Sequence, residues 1–186
     1  MKSGFLLKIA VLLLAMTCVT SMSAAQLNSG AQPIALNATL AESLTLNLSA
    51  NAVNFTLAAG NANNPGSANI TATTTWVLQP GRTAVAVYAY FANSAAALTD
   101  GAPGDNIPSA NFFIADNGGA STALTNTVAF GGANAGLRLA NVAITNANRS
   151  SSRTDAMAFN INLASLPQLP AATYTGTLNI QAQATP

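Results

Sequence analysis

Past its first 25 residues, the chain has few side chains that could do chemistry: Glu42, Asp100, Asp105, Asp116 and Asp155 against Arg82, Arg138, Arg149 and Arg153. His is absent, and the single cysteine is Cys18. Without them no Ser–His–Asp or Cys–His nucleophile can assemble, and zinc or iron loses its usual ligands. No phosphate-cradling glycine loop or dinucleotide fingerprint appears. A pair of carboxylates flanking a glycosidic bond is the enzyme chemistry that survives this count. Asp100, Asp105 and Asp116 stand among Gly, Pro and Asn, where Asp makes turns by bonding its own backbone. The expectation is a protein without catalytic activity and without a cofactor. The same three aspartates are candidate calcium ligands. Asp100-Gly101-Ala102-Pro103-Gly104-Asp105-Asn106 gathers oxygens on one loop that Asp116-Asn117 could join. The loop lacks the acidic alternation of an EF-hand, and turn chemistry explains it better.

Two groups could bind rather than react. Segment 84–91 reads AVAVYAYF and is apolar on both faces. An exposed Tyr88–Tyr90 pair would make a platform for a sugar ring. The competing reading is a central strand covered on both sides. Arg149 to Asp155 reads as a polar, solvated loop. Charged residues are 6% of the chain, so there is no basic surface for nucleic acid. Hydrophobic residues are 50%, and solubility must rest on Asn, Thr, Ser and Gln.

The first segment has a leader pattern: Lys2 and Lys8, an apolar run from Ile9 to Met16, then Ser23-Ala24-Ala25. The expectation is a signal peptide over 1–25, cleaved after Ala25, and a single domain over 26–186. The run is shorter than the ~20 residues that span a bilayer, so no membrane span is expected after cleavage. Cleavage removes both lysines and the cysteine. The chain is then expected outside the cytoplasm: secreted, at the cell surface or in the periplasm.

The elements that must position these residues read as strands. Apolar residues alternate with polar ones over 44–48, 53–57, 68–78, 124–130, 157–163 and 178–184. Turn signals separate them at Asn64-Pro65-Gly66, Pro80-Gly81, Asp100 to Asp105 and Asn117-Gly118-Gly119. Segment 137–144 slips phase at Asn141, which predicts a bulge or a strand end. About ten short strands at this spacing predict an all-β sandwich or barrel. Residues 26–41 form a candidate first or donor strand. Ile34, Leu36, Ala38 and Leu40 alternate along it, and it either pairs within its own domain or is donated to a neighbouring subunit.

Near the C-terminus, Pro170-Ala-Ala-Thr-Tyr174-Thr-Gly176-Thr-Leu-Asn-Ile-Gln-Ala-Gln-Ala resembles the closing strand of spore-coat-U-like and pilin-like secreted bacterial proteins. The preceding Phe159-Asn-Ile-Asn-Leu163 fits the same hairpin order. The resemblance implies an immunoglobulin-like, Greek-key β-sandwich. It also implies a non-enzymatic structural or surface-assembly subunit whose partners are copies of itself, other secreted subunits and a periplasmic chaperone. The alternative is a carbohydrate- or ligand-binding β-sandwich module.

Overall fold

A computed structural model describes residues 27–125 and 135–186. The leader and the Val128–Phe130 part of the 124–130 alternation lie outside the described residues. The chain divides into a unit ending at Thr39 and a unit running Leu40–Pro186. In the first, residues 27–39 form neither helix nor strand, and Leu27, Ile34 and Leu36 are exposed.

The second unit is all-β. Its strands are β1 (Ser43–Leu48), β2 (Asn64–Pro65), β3 (Ile70–Val77), β4 (Ala84–Phe91), β5 (Leu98–Thr99), β6 (Asn106–Ile107), β7 (Phe112–Asp116), β8 (Thr122–Ala123), β9 (Ala135–Ala143), β10 (Ser150–Ile161) and β11 (Leu178–Thr185). One antiparallel sheet runs β1-β3-β10-β7-β8, with β2 also on β10. A second runs β11-β4-β9, and β5 and β6 form a small ribbon.

Alternation explains the layering, because successive side chains of a strand point to opposite faces. On β3, Ile70, Ala72, Thr74 and Trp76 are buried, while Thr71, Thr73 and Thr75 are not. On β10 the inward row is Asp155, Met157, Phe159 and Ile161. Facing it, Ala89 and Phe91 of β4 join the same core as Ile70, Phe112, Ile114 and Met157. Phe112 sits at its centre, edge-on to Phe91 at 5.2 Å and to Phe55 at 5.8 Å. A smaller cluster surrounds Trp76, Leu78 and Val85. Two facing sheets over one core make the architecture sandwich-like.

Several expectations need correction. Segment 53–57 keeps its alternation but forms no strand; it has a single bridge, Phe55 to Gly66. The Arg149–Asp155 loop is mostly strand: β10 begins at Ser150 and pairs with β3 from Ser150↔Val77 to Met157↔Ile70. Outward Ser and Thr are compatible with a ladder, and composition alone cannot separate such a face from a loop. Asn64-Pro65 is a strand fragment rather than a turn, because the Asn64 side chain is buried and bonds the Ile161 carbonyl at 2.8 Å. The slip in 137–144 is a register shift opposite Val87 and Tyr88, where Ala140 and Arg138 are the partners and Leu139 is the extra residue.

Candidate functional site

Among the described residues, β11 and β1 are the end strands of their sheets. Each should present a row of unpaired backbone groups. Their inward side chains are incompletely covered: Leu44 and Leu46 of β1, and Leu178, Ile180, Ala182 and Ala184 of β11, are half-buried. Between the segment that follows β1 and the start of β11 lies a groove of about 620 Å³. Val53, Phe55 and Leu57 form one wall, and residues 172–178 with Ile180 form the other. Its floor is core: Ile70, Phe91, Phe112, Met157, Phe159 and Ile161. The described residues that line it carry no charge.

Both walls are fastened from behind. Asn54 exchanges bonds with Ser67: its carbonyl accepts the Ser67 N–H at 2.8 Å, and its own N–H donates to Ser67 Oγ at 3.1 Å. The Asn64 side chain accepts the Ala58 N–H at 2.8 Å and donates to the Asn61 carbonyl at 2.9 Å. On the other wall, Thr175 and Thr99 exchange two backbone bonds of 2.9 Å each. Gly176 is pressed so closely on the Ala97 carbonyl that a Cβ could not fit. Tyr174 donates to the Pro170 carbonyl at 2.8 Å. Desolvation pushes its phenol pKa up, and the negative charges of Asp100 and Asp105 add to the shift.

The assembly residues read from the sequence belong to no ladder. Ile34 is 83% exposed, Leu36 89% and Leu40 85%, and Ala38 belongs to the same strandless run. Tyr88 and Tyr90 do not form an exposed pair. Tyr88 is buried, and Tyr90 is half-buried with its hydroxyl 3.2 Å from Gln181 Oε1. Strand β4 is flanked by β11 and β9, so it is the central strand of its sheet. The three candidate calcium ligands are not gathered together: among the described residues no group of three or more His, Cys, Asp or Glu could hold a metal. Asp100 instead accepts the Ala102 N–H at 2.8 Å, and Gly101 and Gly104 take positive φ, as a turn requires. Asp116 lies beside Asp155, Arg153 and Asn117.

The sequence reading tied an apolar groove to strand donation but named none of the residues that line it, and it missed this second polar cluster. An Asp at an inward position of an alternating run was the available signal for the cluster. Among the described residues no helix is long and apolar enough to cross a membrane. No protein-family model matches the chain, and no curated protein matches it.

Proposed function

We propose that this protein is a non-catalytic surface-assembly subunit of the pilin-like kind, an immunoglobulin-like sandwich outside the cytoplasm that joins its neighbours by strand addition. One juxtaposition carries the reading. The chain holds an alternately apolar segment, 33–40, with no ladder of its own, and a sandwich-like unit with one groove whose apolar wall residues Val53, Phe55, Leu57, Leu178 and Ile180 are only half-buried.

The two match in chemistry and in length. Residues 26–41 are uncharged, as are the described groove residues. Eight extended residues reach about 26 Å, the length of an eight-residue strand such as β11. A segment from a second copy would bond the free edge of β11 through its backbone and seat Ile34, Leu36, Ala38 and Leu40 over Phe112 and Met157. Backbone bonds supply affinity, and alternate side chains fix the register. Repeating that contact head to tail builds a fibre unless the rotation closes a ring.

The test removes residues 26–40 and adds them back as a peptide. The truncated protein is expected to bind the peptide, gain thermal stability from it and seed no fibre of its own. A Leu36→Asp peptide is expected to lose binding by two or more orders of magnitude, since a charge in an apolar groove is strongly unfavourable. A truncated protein indifferent to the peptide overturns the reading. Binding of a glycan by the intact monomer, lost on changing Tyr90, would favour the module alternative.

A further inference from the structure

A buried polar cluster sits apart from the groove walls, on the inner face of the β3–β10–β7 sheet. Asp155 is 0% exposed. Its Oδ1 accepts from Arg153 Nε at 2.7 Å and from Asn117 Nδ2 at 3.0 Å, and it lies 2.6 Å from Arg153 Nη2. Asp116 stands opposite Met157 in the β7–β10 ladder, so its carboxylate shares that face. Its Oδ2 accepts from Asn117 Nδ2 at 3.2 Å and lies 3.8 Å from Arg153 Nη2. One guanidinium therefore serves two carboxylates, and it favours Asp155. Asn117, with φ 50, heads an Asn-Gly turn that brings its amide between the two acids.

The outward-turned oxygens are the notable part. Asp155 Oδ2, Asp116 Oδ1 and Thr74 Oγ1 are buried with no hydrogen-bond partner among the described residues. Thr74 is 0% exposed and stands opposite Arg153 in the β3–β10 ladder. An acceptor buried without a donor is costly, and two acids facing one cation leave an excess negative charge. A proton on Asp116 removes the excess negative charge and lowers the cost of burying its unpartnered Oδ1.

We propose that Asp116 is a proton-uptake site that tightens the β3–β10–β7 sheet as the solution becomes mildly acidic, so that the subunit is more stable in weak acid than at neutrality. The groups that act on Asp116 are few. Strand β10 supplies Asp155 and Arg153, the turn supplies Asn117, and β3 and β8 supply no charge. Burial raises the Asp116 carboxyl pKa above its usual 3.8, and the charge of Asp155 adds to the shift, against Arg153 and Asn117. A group whose folded pKa is raised contributes stability that is complete below the unfolded value and is lost as pH rises through the folded one. Beyond Ala25 the chain has no His, Lys or Cys, so no side chain of those types masks the effect between about pH 4 and 8.

The experiment follows the thermal midpoint of the native protein from neutral pH into weak acid, for wild type and Asp116→Asn. The wild-type midpoint is expected to rise by about 2–4 °C. Asp116→Asn, whose amide can donate as the protonated acid does, is expected to start at the higher value and stay level. A carboxyl ¹³C titration of Asp116 in the wild type gives a second reading that does not depend on the variant folding. Its midpoint should lie above 3.8. A wild-type midpoint that stays level or falls, with Asp116 titrating at or below the ordinary value, overturns the proposal. So does a calcium-induced rise in the neutral-pH midpoint that Asp116→Asn abolishes, because a metal ion would then be filling these oxygens.

Discussion

Trp76 and Phe55 are both aromatic, both lie in alternating segments, and both point toward the interior. Trp76 is 2% exposed, whereas Phe55 is half-buried at a groove wall. The difference lies in the neighbouring backbone. Strand β3 has β1 on one side and β10 on the other, and the Trp76 indole N–H donates to the Asn148 carbonyl at 2.9 Å. Phe55 has one bridge, to Gly66, and the groove beyond it. Alternation decides which way a side chain points. Whether another strand closes over it depends on the partners its backbone finds.

The largest expected effect breaks this contrast directly. Trp76→Ala should cost about 3–5 kcal/mol, because an aromatic lost from a closed site leaves a cavity. Phe55→Ala or Leu178→Ala, truncated at a seam already open to solvent, should cost about 1 kcal/mol in the isolated subunit. Urea unfolding of the three variants measures this. Equal losses would mean that the seam is ordinary closed core, and the strand-addition reading would lose its acceptor.

Next in size are the fastenings behind the walls. Asn64→Ala removes three hydrogen bonds from a side chain on a 1%-exposed residue and leaves the Ile161 carbonyl without that donor. About 2–3 kcal/mol should be lost in denaturant unfolding. Gly176→Ala forces a methyl group onto the Ala97 backbone and should cost about 1–3 kcal/mol. It should also weaken binding of the 26–40 peptide, because the wall that moves is the one next to β11. Unchanged peptide affinity in a destabilised Gly176→Ala protein would place the acceptor elsewhere.

Much of the fold was legible in the residues. The alternations at 44–48, 68–78 and 178–184 supplied β1, β3 and β11, because period two admits one way of burying Leu, Ile and Val against polar neighbours, and the doubly apolar 84–91 became the central strand β4. The Pro80-Gly81 turn was legible too, with Gly81 at φ 105. Failures came where side-chain chemistry is shared between states. Ser150, Ser151 and Ser152 suit an exposed strand as well as a loop, and a buried Asp155 cannot be distinguished from a turn former without its Arg153 partner. The Asn148 side chain staples the 145–148 turn, accepting the Thr145 N–H at 2.7 Å and donating to the Ala143 carbonyl at 2.9 Å. The lining of the groove was illegible for a deeper reason. It arises from the strand that 53–57 does not form, and nothing within that segment's own pattern encodes the missing partner.

The smallest effect concerns a polar tie at the entry to β1. Glu42 and Arg82 meet at 3.1 Å, and Glu42 also accepts the Gln79 N–H at 3.1 Å, which ties the start of β1 to the turn between β3 and β4. The hydrogen bond from Arg82, and after it that from Gln79, holds the Glu42 carboxyl below its ordinary 4.5. The sign is opposite to that of Asp116. A lowered folded value gives stability that is present above the unfolded value and lost as pH falls through the folded one. Both side chains are partly exposed, so solvent and salt screen the pair and the effect should be small. Glu42→Gln should lower the thermal midpoint slightly at neutral pH and low salt. The difference should vanish at about 1 M salt, where charges are screened within about 3 Å. It should also shrink on acidification, as should the Asp116→Asn gain over wild type once the wild-type midpoint rises to meet it. A Glu42→Gln loss that persists unchanged at high salt would show the tie to be a packing contact, and the entry to β1 would then belong with the closed interior rather than with the open seam.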